Sequence, residues 1–311
     1  MSKVITAIAL LLPLAIGVGA VGSNPAVTQP PTSKKDACEA DDRFAWIPAG
    51  EFVAGSDRAE RDYAYRLSAE FAASAPENVP SAEEQLRAAQ WFEGERSRST
   101  SSLPGFCLSR TLVANADYRA FVRATDHRSP FISAEDYQEQ GFLVHPYEAV
   151  KPYLWKDETF PPGTENHPVV LVSVDDAIAY ARWKGQQDGA SYRLPTAEEW
   201  EKAARGTDGR YFPWGNEWQD GAMNAANSEL WGTNEIAQFP QSRSVYGIED
   251  MAGNVFEYTS TMSDRDGQLR VVMKGCSWDD LPGFCRAAYQ HTRPLKSRHI
   301  LFGFRLVWEQ S

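Results

Sequence analysis

Residues 192–218 read YRLPTAEEWEKAARGTDGRYFPWGNEW and contain the clearest helix signal in the chain. Thr196 precedes a run with helical spacing, Glu199 follows three residues later, and Gly206 comes directly after the last basic residue. A Thr and a Glu in this order form a capping box at a helix start, and a glycine in this place ends a helix. The stretch therefore predicts a helix over 196–205, followed by an aromatic, glycine-rich loop.

Further regions have a clear secondary-structure pattern. Residues 117–125 and 174–187 have helical spacing, and the second run opens at Ser173, a residue type that favours helix starts. The charged stretch 57–102 predicts one or two amphipathic surface helices. Residues 44–55 combine aromatic and β-branched residues with proline and glycine, which predicts a strand pair or a strand with a turn. The C-terminal third predicts short strands and ordered loops, so the expected fold class is α+β with much irregular structure.

The composition is that of a globular acidic protein. The chain has 311 residues, of which 42% are hydrophobic and 23% charged, and it includes 10 Trp, 12 Tyr and 15 Phe. Such a chain can bury a large aromatic core and is not typical of a disordered protein. The formal net charge is -11, whereas binding to nucleic acid requires clustered Lys and Arg. We therefore expect no nucleic-acid partner.

The N-terminus has the three-part plan of a secretory signal. A basic residue is followed by an apolar run over 4–18 and then by small residues. The run is short for a membrane-spanning helix, which needs about 20 apolar residues. We interpret 1–20 as a signal peptide, and expect a periplasmic or secreted protein with no stable membrane span after cleavage; the alternative is an uncleaved anchor. Residues 21–37 predict a Pro-, Ser- and Thr-rich linker, and one domain would cover 38–311 with the helical stretch 57–102 as an insertion.

Seven segments occur in an order that resembles the formylglycine-generating enzyme family, also called sulfatase-modifying factor. They are IPAGEFVAGSD, LPGFCLSRTLVANADYRAFV, HPVVLVSVDDAIAYARWKG, the stretch quoted above, YGIEDMAGNVFEYTS, VVMKGCSWDD and FGFRLV. The resemblance implies a single domain distantly like C-type lectins. It extends to relatives with other activities, including exported bacterial proteins of pyoverdine maturation and the sulfoxide synthases of ergothioneine biosynthesis. Fold alone therefore does not decide the function.

The segment YGIEDMAGNVFEYTS offers oxygen ligands for a calcium ion. Asp250 and Glu257 are hard donors that flank a Gly-Asn turn, and Ca²⁺ takes about six to eight oxygens in loose geometry. The resemblance implies a structural calcium loop in which these two acids bind through their side chains, and Gly253 and Val255 through their carbonyls. The alternative is a capped turn with a solvated acidic pair. A second family calcium loop is not assigned, although Asn227 matches its opening.

The catalytic question depends on the segment 275–285, which reads GCSWDDLPGFC. Formylglycine-generating oxidases bind Cu(I) through two thiolates, which suit a soft metal. In this sequence Asp280 occupies the position of the first copper-binding cysteine of the family. Cys285 matches the second copper-binding cysteine only in an ungapped alignment. Cys276 occupies a position where the family usually has glycine. The resemblance places the SWDD residues at the floor of the active site; the alternative is a strand end with a packed Trp. The candidate catalytic residues are Cys276, Ser277, Trp278, Asp280 and Cys285. Copper is a candidate cofactor, although the standard pair of thiolate ligands is incomplete in this sequence.

Four cysteines in an exported chain favour disulfides. Cys38 and Cys107 are expected to pair, because the entry to the first strand and the LPGFC strand would lie side by side. A Cys276–Cys285 pair has three open interpretations: structural, redox-active or metal-binding. The five histidines show no HxxxH or HxE spacing, so no preformed iron or zinc site is predicted from them.

Two functions from different classes are consistent with these residues. The first is an exported oxidative maturation enzyme, an oxidoreductase, that acts on a peptide or a peptide-derived natural product such as a siderophore precursor. The second is a non-catalytic binding or accessory protein on the same fold. Strict sulfatase activation is a weaker variant of the first, because Asp280 replaces a copper thiolate.

Overall fold

A computed structural model of the chain describes residues 33–226, 228–265 and 267–309. The predicted signal peptide, most of the predicted linker, and Asn227 lie outside the described residues. Among the helices of the described part, none is long and apolar enough to cross a membrane.

The described residues form both helices and sheets, which confirms the expected α+β class. The helices are α1 (Lys34–Glu39), α2 (Arg58–Ala72), α3 (Val79–Ala88), α4 (Asn115–Thr125), α5 (Ala134–Glu139), α6 (Tyr147–Val150), α7 (Val174–Asp188) and α8 (Ala197–Arg205). The strands are β1 (Phe44–Ile47), β2 (Gly50–Ala54), β3 (Ser99–Leu103), β4 (Phe106–Ser109), β5 (Ser191–Arg193), β6 (Phe256–Arg265), β7 (Gln268–Lys274), β8 (His291–Pro294), β9 (Phe302–Gly303) and β10 (Val307–Glu309).

Capping boxes start two of the predicted helices. At α8 the Thr196 hydroxyl accepts the Glu199 N–H, and the Glu199 carboxylate accepts the Thr196 N–H at 2.8 Å. Helix α7 opens with the same reciprocal pair between Ser173 and Asp176. These side chains satisfy N–H groups that have no partner within the helix. The predictions for α4, α7 and α8 are thus confirmed to within a few residues.

Residues 44–54 and 99–109 form the two arms of one long antiparallel hairpin. Strand β1 pairs with β4, and β2 pairs with β3, in one continuous register. The ladder is interrupted at Pro48 and Pro104, which have no N–H to donate. The strands predicted within 44–55 are thus present on either side of a turn, but they pair with strands beyond the insertion and not with each other.

Helices α2 and α3 lie in the predicted insertion, and α2 is amphipathic as predicted, with one exposed face and one buried face. Its residues Ala64 and Ser68 are buried against Gly283, in the 3-10 turn Pro282–Cys285. The Gly283 N–H donates to Ser68 Oγ at 3.0 Å, and a Cβ at Gly283 would lie 2.5 Å from the Ala64 carbonyl oxygen. Small residues on both sides therefore let α2 approach this turn closely. The insertion thus covers the segment that carries Cys285.

Two four-stranded sheets, β1-β4-β10-β5 and β8-β7-β6-β9, contain most of the strands. A disulfide between Cys38 and Cys107 joins α1 to β4, which confirms this predicted pair. Because Ser33 accepts the N–H of Asp36 and caps α1, the fold begins inside the predicted linker 21–37. Strand β7 ends at Lys274 and leads directly into the segment 275–285.

Candidate functional site

The candidate catalytic residues lie together in the loop that follows β7. Cys276 and Cys285 form a disulfide with a Cα–Cα distance of 4.8 Å, and both are buried. The part of the chain that the structure describes contains no free cysteine. A disulfide sulfur is not a thiolate and Asp280 offers a hard oxygen, so this donor set does not suit Cu(I).

The surroundings of the Cys276–Cys285 disulfide favour a structural role. The Gly253 N–H points at Cys276 Sγ at 3.2 Å, and helix α2 packs over the turn that ends at Cys285. The Trp278 N–H donates to the Asn254 carbonyl oxygen at 3.1 Å and fixes the adjacent backbone. Thiol-disulfide exchange requires access to a sulfur atom, which this packing prevents. Of the three open interpretations, a structural disulfide agrees best with the packing.

Ser277 links two carboxyl groups. Its Oγ lies 2.7 Å from Asp279 Oδ1 and also contacts Asp280 Oδ2, which accepts the Ser277 N–H at 2.8 Å. A hydroxyl has one proton, so one of the two side-chain contacts needs a proton from a carboxyl group. Burial, followed by repulsion from Asp279, raises the pKa of Asp280 to about 8. Asp280 therefore carries the proton and donates to Ser277 Oγ, while Ser277 donates to Asp279.

His145 extends this hydrogen-bonded chain toward solvent. Its Nε2 lies 2.8 Å from Asp279 Oδ2, and its ring packs against Trp278 with 4.9 Å between the ring centroids. Because Asp279 accepts the Ser277 hydroxyl proton through Oδ1 and serves as acceptor, His145 donates to its Oδ2 through Nε2–H. The residues Asp280, Ser277, Asp279 and His145 thus form a hydrogen-bonded chain from a partly buried carboxyl to a partly exposed imidazole.

Replacing Asp280 with Asn should flatten the pH dependence of stability. The folded protein raises the Asp280 pKa from an unfolded value of about 4 to about 8, so folding takes up a proton between these values. The stability from this group is fully present below about pH 4 and is lost as the pH rises through about 8. Urea unfolding across this range should show a smaller loss on alkalinisation in Asp280→Asn. The exposed control Asp117→Asn should keep the wild-type slope, and an unchanged slope in Asp280→Asn would refute the protonated carboxyl.

Tyr137 fixes the tautomer of His299. The Tyr137 hydroxyl donates to the His145 carbonyl oxygen at 2.9 Å and lies 3.0 Å from His299 Nε2. Because the single hydroxyl proton is already used, His299 donates from Nε2 to the Tyr137 oxygen. Burial lowers the pKa of His299 to about 3, so its ring is neutral and its Nδ1 carries a lone pair. This Nδ1 is buried and has no hydrogen-bond partner among the described residues.

Further polar nitrogens near His299 also lack partners. Trp278 Nε1, His291 Nε2 and Arg293 Nε are buried without a hydrogen bond in the described ranges. Their side chains are connected through ring contacts: Phe142 lies 4.8 Å from His299 and 6.1 Å from His291 between ring centroids. Buried polar groups in proteins are nearly always hydrogen-bonded, so several unpaired groups in one place indicate a site for water or a ligand.

Sequence reasoning missed several members of this site. They are Tyr137, His145, His291, Arg293 and His299. Tyr137 and His299 are 162 residues apart, and no local spacing connects them. The ring centroids of His145 and His299 are 6.0 Å apart, but within the described residues no three or more His, Cys, Asp and Glu side chains are grouped so that they could hold a metal ion. The site was found from the sequence only through the segment around Cys276, which resembles the formylglycine-generating enzyme family.

In the predicted calcium loop, Glu257 and the Asp250 carbonyl group bind the guanidinium group of Arg305. Arg305 donates to both Glu257 oxygens, at 2.6 and 2.7 Å, and reaches the Asp250 carbonyl oxygen at 3.4 Å. Both acids are buried, so the alternative of a solvated acidic pair is wrong. The Asp250 carboxylate accepts a backbone N–H, and burial raises its pKa to about 6. Arg305 therefore balances the charge of Glu257, whereas Asp250 is the acid that a further cation would stabilise.

Comparisons with known proteins agree with the order of the sequence segments. Residues 29–310 match the family described as the sulfatase-modifying factor enzyme 1-like domain. The inactive C-alpha-formylglycine-generating enzyme 2 of Mus musculus is 31% identical over 217 residues, which cover 60% of this chain and 68% of that protein. The formylglycine-generating enzyme of the same species is 31% identical over 206 residues, which cover 54% of this chain and 52% of that protein.

A solved structure shares the fold. PvdO from Pseudomonas aeruginosa has a TM-score of 0.58 at 19% identity, and the match covers 86% of this chain and 94% of that chain. At this identity the likeness shows the architecture alone. The family match, in contrast, extends over nearly all described residues and includes the cysteine loop. The chain therefore belongs to the sulfatase-modifying factor enzyme 1-like family, as its seven segments predict.

Proposed function

We propose that this chain is an exported oxidoreductase that matures a peptide or a peptide-derived natural product, such as a siderophore precursor, by removing two electrons and two protons. Relatives named as formylglycine-generating enzymes support an oxidative role. The observation that carries the proposal is the unpaired Nδ1 of His299, in the same cluster as the protonated carboxyl of Asp280. A protonated carboxyl and an unpaired hydrogen-bond acceptor held in one cluster suit the binding and orientation of a polar substrate group.

The proposed reaction uses dioxygen as its oxidant. Two electrons and two protons pass from adjacent C–H and N–H bonds of the substrate to dioxygen. His299 Nδ1 accepts a hydrogen bond from the substrate N–H and so orients it for the oxidation. The products are the dehydrogenated substrate and hydrogen peroxide. The Cys276–Cys285 disulfide takes no part in this scheme, because its sulfur atoms are buried.

The test compares peptide-derived metabolites in strains with and without this protein. A strain that lacks the gene should accumulate a precursor that is heavier than the normal product by two hydrogens. The wild-type gene should restore the product, whereas His299→Gln should not. His127→Gln is the matched control, because His127 pairs with Asp176, outside the cluster. An unchanged metabolite profile in the deletion strain, or full rescue by His299→Gln, would refute the proposed reaction.

The alternative is a non-catalytic binding or accessory protein on the same fold. The closed disulfide in the cysteine loop favours it, and so does the similarity to a relative named as inactive. This alternative differs from the proposal in one result. It expects the same metabolite defect from loss of the protein, with rescue by His299→Gln whenever that variant folds.

Export is supported by the chemistry of the cysteines. Two disulfides, Cys38–Cys107 and Cys276–Cys285, are stable in an oxidising compartment and rare in a reducing cytosol. We propose cleavage near residue 20 and a mature protein in the periplasm or the medium. N-terminal sequencing of the purified protein tests this, since retention of Met1 would contradict cleavage.

We also propose that a structural Ca²⁺ binds at the loop that contains Asp250 and Glu257. The buried Asp250 carboxylate, one Glu257 oxygen, and the carbonyls of Gly253 and Val255 would hold the ion. A cation at this place would compensate the cost of burying Asp250, whose pKa is raised to about 6.

Removing calcium should lower the melting temperature. Ca²⁺ at a hundredfold excess over its Kd stabilises the native state by about 2.7 kcal/mol, which corresponds to about 4–5 °C in a chain of this size. A chelator should produce this shift in the wild type and not in Asp250→Ala. The exposed control Asp117→Ala should still respond. If chelation leaves the wild-type melting temperature unchanged, the site does not exist.

A further inference from the structure

Phe142 lies on an exposed loop, yet its ring points into the protein. The loop covers residues 141–146 between α5 and α6, and Leu143 and Val144 are 43% and 55% exposed. The Phe142 ring stacks on Phe302 with 5.8 Å between centroids and an interplanar angle of 14°. A surface loop therefore inserts one aromatic ring among interior side chains.

Several groups around this ring have nitrogen atoms that lack hydrogen-bond partners among the described residues. The guanidinium carbon of Arg293 lies 3.3 Å from the Phe142 ring centroid, and the rings of His299 and His291 lie 4.8 and 6.1 Å away. Nitrogen atoms of these three residues are buried and unpaired in the described part of the chain, as is Trp278 Nε1. A phenyl ring offers no conventional acceptor or donor. The Phe142 ring thus occupies a place that a polar ligand would suit better.

Arg293 is the charged member of this group. Among the described residues it forms no ion pair, and its Nε has no hydrogen-bond acceptor. Burial lowers its pKa to about 10, so it remains a cation at neutral pH. The Arg293 side chain is only partly exposed and its guanidinium lies over the Phe142 ring as a cation-π pair, so displacement of the ring leaves a cation that needs a new partner. Its planar N–H groups match a carboxylate with two hydrogen bonds. The ligand that this chemistry favours is therefore a carboxylate.

A cavity beside the loop provides a route to these groups. It has a volume of about 330 Å³, and its lining includes Leu143, Val144, His145 and Tyr137. Tyr137 in turn contacts His299 at 3.0 Å. Outward movement of residues 141–146 would join this cavity to the unpaired nitrogens. The combined space falls in the size range of small-ligand sites.

We propose that Phe142 is a removable plug over a carboxylate-binding chamber formed by Arg293, His291, His299 and Trp278. When the loop moves outward, a carboxylate takes the place of the ring. Arg293 and the Trp278 indole N–H donate hydrogen bonds to the carboxylate oxygens. The unprotonated Nδ1 of His299 faces the neighbouring part of the ligand. This inference rests on the proposed function in one respect: it takes the bound carboxylate to be part of the substrate. The binding step itself is independent of turnover.

The experiment measures binding of two small probes by the full mature chain. N-acetylglycine carries a carboxylate, and N-acetylglycinamide is its neutral counterpart. Titration is followed by calorimetry and by the NMR signal of the Trp278 indole N–H. Phe142→Ala should bind N-acetylglycine about tenfold more tightly than the wild type, because the ring no longer has to be displaced. Leu143→Ala, on the same loop and exposed, should bind like the wild type.

Arg293 supplies the charge test. Adding Arg293→Gln to Phe142→Ala should abolish the gain, and the amide probe should bind weakly to every variant. If Phe142→Ala binds no better than Leu143→Ala, the plug is refuted; if the amide binds as well as the acid, the carboxylate site is refuted. Phe142→Leu provides a second variant if Phe142→Ala does not fold, and it should give a smaller gain in the same direction.

The outcome for the chamber and the outcome for the reaction are separable. Tight carboxylate binding by Phe142→Ala, together with an unchanged metabolite profile in the deletion strain, would support the chamber and refute the proposed oxidation. An altered profile without any carboxylate binding would refute the chamber alone.

Discussion

Arg286→Ala is expected to lower the free energy of unfolding by about 3–5 kcal/mol, or to prevent folding. Arg286 is fully buried, and its guanidinium donates to Glu60 on α2 and to Glu95, with distances of 3.2 Å from Nη1 to each. Its Nε also donates to the Gly283 carbonyl oxygen at 3.0 Å. Removing the arginine leaves buried carboxylates with fewer partners, and it separates the insertion from the cysteine loop. Urea unfolding followed by tryptophan fluorescence measures the loss.

A surface arginine gives the matched control for this experiment. Arg243 pairs with Glu249 at 2.6 Å, but its side chain is 47% exposed, so Arg243→Ala should cost no more than about 1 kcal/mol. Combining Arg286→Ala with Glu95→Ala should cost less than the sum of the two single losses, because the two residues share one interaction. A loss for Arg286→Ala no larger than that for Arg243→Ala would show that the buried network does not hold the insertion.

Loss of the Cys38–Cys107 disulfide should have a comparable effect. The bridge joins residues separated by 69 positions, and closing a loop of that length restricts the unfolded chain by about 4 kcal/mol. The double variant Cys38→Ala with Cys107→Ala should therefore unfold at a much lower urea concentration. The same reasoning predicts that a leaderless chain produced in a reducing cytosol folds poorly.

The second disulfide serves as the internal comparison. Cys276 and Cys285 are separated by 9 positions, so loop closure gives about 3 kcal/mol or less. Its double alanine variant should lose less stability than the Cys38 and Cys107 pair under the same conditions. The reverse order would contradict the loop-length account and would show that packing of the cysteine loop dominates.

The predictable parts of the fold are those with local causes. Helices α7 and α8 begin at residues whose side chains bond to backbone three positions away, so a short window of sequence contains the whole signal. The pairing of β1 and β2 was not predictable in this way, because their partners follow the insertion. The amphipathic pattern of α2 predicts a buried face, but it does not reveal that Ala64 and Ser68 on that face meet Gly283.

The candidate site shows the same division. The segment around Cys276, Ser277, Trp278 and Asp280 is contiguous, and the family resemblance identified it. His145 and His299 come from a loop and from a turn that carry no recognisable spacing, and tertiary structure alone brings their rings within 6.0 Å. The tautomer of His299 depends on a hydroxyl proton of Tyr137, which only the three-dimensional contacts reveal.

These features describe a family member whose cysteine loop offers hydrogen-bonding side chains and no free thiol among the described residues. The pKa of about 8 keeps Asp280 protonated at neutral pH. The sulfur atoms of Cys276 and Cys285 are bonded to each other. The groups that remain for contact with a ligand are the hydrogen-bonded chain through Ser277 and Asp279 and the unpaired Nδ1 of His299.

Titration of the isolated protein with Cu(I), in competition with a Cu(I) chelator such as bathocuproine disulfonate, tests this account most directly. A soft metal needs thiolates, and the oxidised protein offers none among its described residues. We expect the chelator to retain all of the copper and alkylation of the denatured, unreduced protein to detect no thiol. Tight binding of one equivalent of Cu(I) by the wild type, with Cys285 found as a free thiol, would contradict the account and restore a copper-dependent oxidase.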